Sequence, residues 1–272
     1  MSRAIAAHHG AFGRAALLEL DHQMAMHAHR EGHLIFHVAG PRPSFSVAGQ
    51  KFEMSPGRAA AISPLQPHDF TLGSPDAPVV TFVLYIDQNW FRDTGDASSL
   101  RFGKSLITLN ESILSDIQVL VARMRSGEAR RGLDESLFAL TRSCFNLSWS
   151  TSVRTGIEPE RPIARDNRIR KSINLMAERV GDDLSIDEIA SDAGLSRPHF
   201  YRLFRENVGV TPNVYINTLR AETAIERLVT TNQAVTSIGL DLGFASQASF
   251  TRFFRANVGI PPTDYRRVAL CA

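Results

Sequence analysis

The sequence predicts an α+β chain. A small all-β sandwich or barrel comes first, two helices follow it, and an all-α C-terminal part holds two helix-turn-helix units joined by a long helix. Three observations predict this. Short apolar stretches recur at roughly 8–12-residue spacing through the front of the chain, separated by Gly and Pro breaks. Two helical periodicities follow them. Finally, the stretch Ile189–Tyr215 repeats itself at Ile238–Tyr265. We set the boundaries at 1–150 for the front domain, 151–164 for a linker and 165–272 for the C-terminal domain.

The candidate strands are Leu34–Val38, Ser44–Val47, Gln50–Met54, Arg58–Ile62, His68–Leu72 and Val79–Ile86, in a region that reads as all-β from Leu17. Gly-Pro, Ala-Gly, Pro-Gly and Ser-Pro breaks lie between them, as in a sandwich or small barrel. Helical patterns run over Glu111–Arg125 and Leu133–Ser148. Their apolar faces suit either a dimer contact, giving a homodimer, or packing on their own barrel; the sequence leaves both open. Ser150–Pro162 is polar and carries two prolines, as a linker does.

The repeat then defines the last third. Gly194 matches Gly243; beyond it Phe200, Phe204, Gly209, Pro212 and Tyr215 match Phe250, Phe254, Gly259, Pro262 and Tyr265. Ser185 and Glu188 have capping-box spacing, with Leu184 and Ile189 placed as a hydrophobic staple. The helix they start should end at Gly194, and Ser196 should cap a second one. Two short helices around a Gly-containing turn form a helix-turn-helix. Thr211-Pro212 opens a longer helix to about Val229, with Pro where its missing N–H costs nothing. In the second unit Ala234 stands where Ser185 stood, so that start lacks a cap.

Within each second helix, Phe200, Leu203 and Phe204, and again Phe250, Phe253 and Phe254, form a core stripe. The opposite face carries Arg197, Tyr201, Arg202 and Arg205 in one unit and Gln247, Ala248, Thr251, Arg252 and Arg255 in the other. Neither Ser196–Arg205 nor Ala245–Ala256 contains a carboxylate. A helix fits the DNA major groove, where Arg can bridge guanine, Gln can bridge adenine and Thr can touch a thymine methyl. Two such helices on a stiff connector would enter successive grooves, with bending where straight DNA does not match.

The closing stretch from Gly243 to Arg266, GFASQASFTRFFRANVGIPPTDYR, resembles the signature of the AraC/XylS family of bacterial transcription regulators. The likeness covers about Arg165 to Val268 and departs at Pro261, where Ser or Thr is commoner. It implies base-contacting positions at Arg197, Pro198, Tyr201 and Arg202, and at Gln247, Ala248, Thr251 and Arg252. Ser196, Ser246 and Arg205, with the helix N-termini, would hold phosphates, and Arg255 lies on the same face. Double-stranded DNA, a small-molecule effector and RNA polymerase are the implied partners, with activation the commoner outcome in the family.

The front half has a histidine cluster: His27, His29 and His33, then His68 after Pro67. This resembles the cupin barrel, whose first motif is HxH with a glutamate four residues on and whose second supplies another His; here His33 stands in the glutamate's place. Alternate strand residues face one side, so His27 and His29 can converge. Four imidazoles suit a divalent transition metal such as zinc, nickel or copper. The other reading is contact with an organic effector. No cofactor is certain from the sequence, and the alternative to a regulator is a metal-dependent cupin enzyme, or a metal sensor, fused to a DNA-binding module.

Composition frames these readings. Hydrophobic residues are 43% and charged residues 21%, ordinary for a globular chain with a proper core. The net charge of +2 does not by itself announce a nucleic-acid partner. Two distant cysteines, Cys144 and Cys271, argue against a disulfide framework and for a cytoplasmic setting, with Cys144 in the core. No apolar run nears the roughly 18 residues a membrane span needs, so no membrane is expected, and no secretory signal is read at the N-terminus. There is no P-loop, GxSxG or HExxH to suggest another enzyme class.

Overall fold

The computed structural model describes residues 2–94, 99–127, 132–150, 166–182 and 185–270. Ten strands build the front domain. In chain order they are β1 (Arg3–Gly10), β2 (Gly13–Leu20), β3 (Met24–His27), β4 (Gly32–Ala39), β5 (Ser44–Val47), β6 (Gln50–Glu53), β7 (Arg58–Ile62), β8 (His68–Thr71), β9 (Val79–Ile86) and, after helix α1 (Gln88–Thr94), β10 (Leu106–Thr108). One sheet runs β1-β2-β9-β4-β7-β10 and the other β3-β8-β5-β6. All their pairings are antiparallel. The β5–β6 hairpin turns through Ala48 and Gly49 at φ 49° and 83°. Both central residues therefore have the positive φ that a tight hairpin loop demands.

The larger sheet is buried on both faces. Leu18, Leu20, Ile35, Val83 and Tyr85 point into the space between the sheets with Phe45, Val47 and Phe70. Leu17, Leu34, Phe36, Phe82 and Leu84, the alternate residues, point outward into a second core. Helices α2 (Glu111–Ser126) and α3 (Leu133–Trp149) cover that outer face through Ile113, Ile117, Leu120, Leu137, Leu140 and Cys144. The apolar faces of both helices thus pack on their own barrel. Burial pushes the Cys144 thiol up to about 12, so it is a core residue and not a reactive thiolate.

Several elements go beyond the sequence reading. Strand β1 carries three alanines and a terminal glycine, poor strand formers, among its eight residues and is held by its ladder to β2. Strand β2 begins at Gly13, not Leu17, and β10 has only three residues. Helix α4 (Asn167–Glu178), capped by the Asp166 carboxylate, opens the C-terminal domain. The linker assigned to 151–164 lies outside the described residues, as does Leu184 of the expected staple.

The two repeated units appear as expected. Helices α5 (Ile186–Asp192) and α6 (Arg197–Val208) form the first. Helix α7 (Pro212–Thr230) connects it to α8 (Val235–Asp241) and α9 (Gln247–Val258), and α10 (Pro262–Leu270) closes the chain. The turns hinge on Gly194 and Gly243 at φ 66° and 81°, a conformation that other residues adopt only with strain. The aromatic core repeats too. Phe204 meets Tyr215 edge-on at 5.6 Å and Phe254 meets Tyr265 at 5.8 Å. Phe200, Phe204, Phe250 and Phe254 are fully buried, while Leu203 and Phe253 of the expected stripe are only partly so. The Ser185 hydroxyl caps α5 by accepting from Asp187 N–H at 3.2 Å, with no returning bond from Glu188 to complete a box. Ser196 sits at the N-cap position of α6 but its hydroxyl makes no capping bond.

The C-terminal domain packs on the barrel. Val258, Ile260, Tyr265 and Val268 share one buried cluster with Leu18, Leu20 and Met24. The Thr218 hydroxyl of α7 donates to Ala28 O at 2.8 Å, and Arg30 pairs with Glu222. Arg14, buried with Glu31 at 2.9 Å, reaches the Tyr265 hydroxyl at 3.4 Å.

Candidate functional site

Two regions collect the chemically distinctive side chains. The first is the outward face of α6 and α9. Serine caps start both helices, but differently. Ser246 accepts from Ser249 N–H at 3.2 Å, and the Ser249 hydroxyl returns to the Ser246 backbone, so Ser246 is committed to the helix. The uncommitted hydroxyl of Ser196 remains available to an anion at the N-terminus of α6. Arg197, Pro198, Arg202, Arg205, Gln247, Ala248 and Arg252 are exposed, while Tyr201 and Thr251 are half-buried at the edge of the same face.

The arginines are not equivalent. Arg197 pairs with Asp187 at 3.0 Å and Arg202 with Glu206 at 3.4 Å, both in solvent. Such pairs contribute about 0–1 kcal/mol and exchange readily for a phosphate or base. Arg205 and Arg252 have no ion pair among the described residues. Arg255 turns away from the common face and meets Asp21 at 3.1 Å and His22 Nδ1 at 3.3 Å on the front domain. Gln247 takes a hydrogen bond from the Thr236 hydroxyl at 2.7 Å, which orients its amide while leaving one lone pair and both N–H donors.

The second region is a partly open cavity between the two sheets. Its lining includes His27, His29, His33, His68, Tyr85 and, from α9, Val258. The four histidines are buried, each 6% exposed or less. His27 ends β3 and stands opposite His68 of β8 in the ladder, with ring centroids 4.2 Å apart. His29 lies in the turn beyond β3 and not on a strand as expected; the turn, rather than strand alternation, brings its ring within 5.1 Å of His27. His33 enters from β4 and comes to 4.5 Å of His68.

Hydrogen bonds fix two tautomers. His27 Nδ1–H donates to Ala25 O at 2.7 Å and His68 Nδ1–H donates to Gln66 O at 2.9 Å. In a neutral ring the Nε2 atom then carries the lone pair. One nitrogen from each of His27, His29 and His68 lies within 4.8 Å of the others. His33 Nδ1 is buried with no hydrogen-bond partner. Burial, then the mutual repulsion of the rings, pushes His29, His33 and His68 well below the usual imidazole range, and burial lowers His27. The cluster is therefore a set of neutral donors with no carboxylate or thiolate among them, which suits a borderline transition-metal ion.

The domains match known families in the order the fold shows. A model described as an AraC-like ligand binding domain matches residues 17–141, and a helix-turn-helix domain model matches residues 189–268. The "Probable transcriptional regulator LumQ" of Photobacterium leiognathi is 25% identical over 248 residues, covering 91% of this chain and 94% of that protein. An uncharacterized HTH-type transcriptional regulator of Haemophilus influenzae is 27% identical over 103 residues, 38% of this chain. That match spans only 35% of the Haemophilus protein, and the chain spans 14% of a 33%-identical relative from Staphylococcus aureus (strain COL). Among solved structures, an apo ToxT variant from Vibrio cholerae superposes with a TM-score of 0.60 over 96% of this chain and 98% of its own, at 14% identity. A second ToxT structure, with an unsaturated fatty acid bound, has a TM-score of 0.55 at 15% identity, covering 93% of this chain and 94% of its own. These likenesses establish a shared fold.

Proposed function

Because this chain belongs to the AraC family of transcriptional regulators, with both of its domains matched, we propose that it is a sequence-specific DNA-binding regulator whose affinity for its site is set by a small ligand in the barrel. The observation that carries this reading is the duplicated unit. Two helices built on the same Phe-Phe-Tyr core each present polar and basic side chains outward, with Arg252 and Arg205 in no ion pair among the described residues. Arg202, Arg252 and Gln247 read base edges, Tyr201, Thr251, Pro198 and Ala248 supply apolar contact, and Ser196 and Arg205 hold phosphate. Arg197 joins them when it leaves Asp187.

The ligand acts because it binds one arrangement of the two domains better than another. The cavity wall is made partly by α9, so occupancy bears on a reading helix directly. The ToxT structure with a bound fatty acid supports a small-ligand role for this fold, but the imidazole lining here calls for a different ligand chemistry. We take the regulator to be an activator that contacts RNA polymerase in the cytoplasm; the apolar faces of α2 and α3 pack on their own barrel and do not supply the homodimer contact considered from the sequence. Among the described residues no helix is long and apolar enough to cross a membrane. Genome-wide binding in the native cell, followed by gel-shift at two salt concentrations, tests the reading. A few sharp sites of about 17–20 base pairs, spanning successive major grooves, are expected. Diffuse binding that only tracks salt would overturn it.

A further inference from the structure

The histidine cavity raises a question that the duplicated reading helices do not answer. Four buried imidazoles carry a cost. Among the described residues His33 Nδ1 is buried with no hydrogen-bond partner. Each such group left unpaired costs about 1–3 kcal/mol. A chain that packs four of them together gains something that offsets this. An organic ligand would use one or two polar anchors in an apolar pocket, not a ring of convergent nitrogen lone pairs.

We propose that His27, His29, His33 and His68 bind one divalent transition-metal ion, and that its occupancy changes the grip of the front domain on α7 and α9. This rests on the regulator reading above and names the ligand class of its cavity. The donor set fits. Tetrahedral nitrogen ligands about 2.0–2.1 Å from an ion stand roughly 3.3 Å apart. The 4.8 Å limit among nitrogens of His27, His29 and His68 needs a contraction of up to about 1.5 Å, and His33, outside that group but with its ring 4.5 Å from that of His68, must move in as the fourth ligand. The backbone carbonyls of Ala25 and Gln66 already orient two of the rings, as outer-shell acceptors do for metal-bound histidines. No carboxylate neutralises the ion from within the set, which favours reversible occupancy over a permanent structural site.

The connection to DNA reading is physical. His27 and His29 flank Ala28, whose carbonyl accepts the Thr218 hydroxyl of α7 at 2.8 Å. Arg30 of the same loop pairs with Glu222 of α7. Strand β3, which His27 ends, follows the Asp21–His22 turn that holds Arg255 of α9. At the end of α9, Gly259 lies so close that a Cβ there would sit 2.9 Å from Leu20 and 3.2 Å from Met24. Drawing His27 and His29 toward a common ion therefore pulls on the loop and strand that touch both the connector and the second reading helix.

The full chain, stripped with a chelator, is titrated separately with Zn²⁺, Ni²⁺, Co²⁺ and Cu²⁺. The expected result is one ion per chain after gel filtration and, with Co²⁺, the visible absorption of a nitrogen-ligated site. His68→Gln and His33→Gln, each checked for folding by circular dichroism, should lose that stoichiometry. Saturating ion should change affinity for the best DNA site by about 5-fold or more and alter hydrogen exchange in α7 and α9. Thr218→Val should keep the ion and lose much of that change. A folded chain that takes up no ion overturns the proposal, as does an ion bound with neither DNA affinity nor exchange in α7 and α9 altered. If no sequence-specific DNA binding is found in any condition, the regulator reading falls, while ion stoichiometry and exchange still decide this one.

Discussion

Replacing Arg252 with alanine separates reading from mere attraction to phosphate. Arg252 projects from the exposed face of α9 and forms no ion pair among the described residues, so nothing must be broken before it reaches a base. A good bidentate arginine–guanine contact is worth about 1–3 kcal/mol. Arg252→Ala should therefore weaken specific binding roughly 5- to 150-fold and relax base preference in one half of the site. Arg202 offers an internal comparison. It must first release Glu206, an exposed pair four residues away on the same helix, worth about 0.3–0.5 kcal/mol. Arg202→Ala should cost correspondingly less than Arg252→Ala, and Glu206→Ala should tighten binding about 2-fold. The assay is gel-shift on the wild-type site and on single-base variants at fixed salt. If Arg252→Ala weakens every sequence equally and lowers the salt slope by about one, Arg252 holds a phosphate and the assignment to a base edge is wrong.

Other expectations concern the scaffold. Phe254 is fully buried, so Phe254→Ala should destabilise the C-terminal domain by about 3–5 kcal/mol in chemical denaturation; a loss under 1 kcal/mol would mean the second unit's core is not packed as described. Gly259 combines φ 87° with the close approach to Leu20 and Met24, so Gly259→Ala should cost at least about 1–2 kcal/mol and loosen the domain contact. An unchanged melting temperature would refute that. His9, packed against Tyr265, is pushed down to about 4 by burial and then by Arg14 and His8. Neutral in the folded chain, it takes up a proton more readily when unfolded. Its contribution is thus intact above about pH 6.5 and is lost as the pH falls toward 4, on the order of 3 kcal/mol in all. Urea midpoints of wild type and His9→Gln across that window should converge in acid, and parallel curves would sink the argument.

Much of this was legible in the sequence because it rests on local chemistry. The glycine turns at Gly194 and Gly243, Pro212 at the start of α7 and the Phe pairs one turn apart all act within a few residues. The duplicated unit could therefore be read twice and checked against itself. The four histidines could be named as a group because their spacing resembles the two histidine motifs of a cupin barrel. What the sequence alone could not show came from contacts between distant segments. Strand β1, with its three alanines and a glycine, has weak local strand preference and is held in its ladder with β2. The burial of α2 and α3 against their own barrel was one of two outcomes their periodicity allowed.

The tertiary structure also decided which arginines are free. Arg255 shares a helix face pattern with Arg205, but Asp21, over two hundred residues away, holds it. It decided that His29 reaches the cluster from a turn, and that the cluster lies beside α7 and α9. Periodicity and capping describe how a segment meets its neighbours in the chain; which buried group touches which is set by how the two domains close on each other.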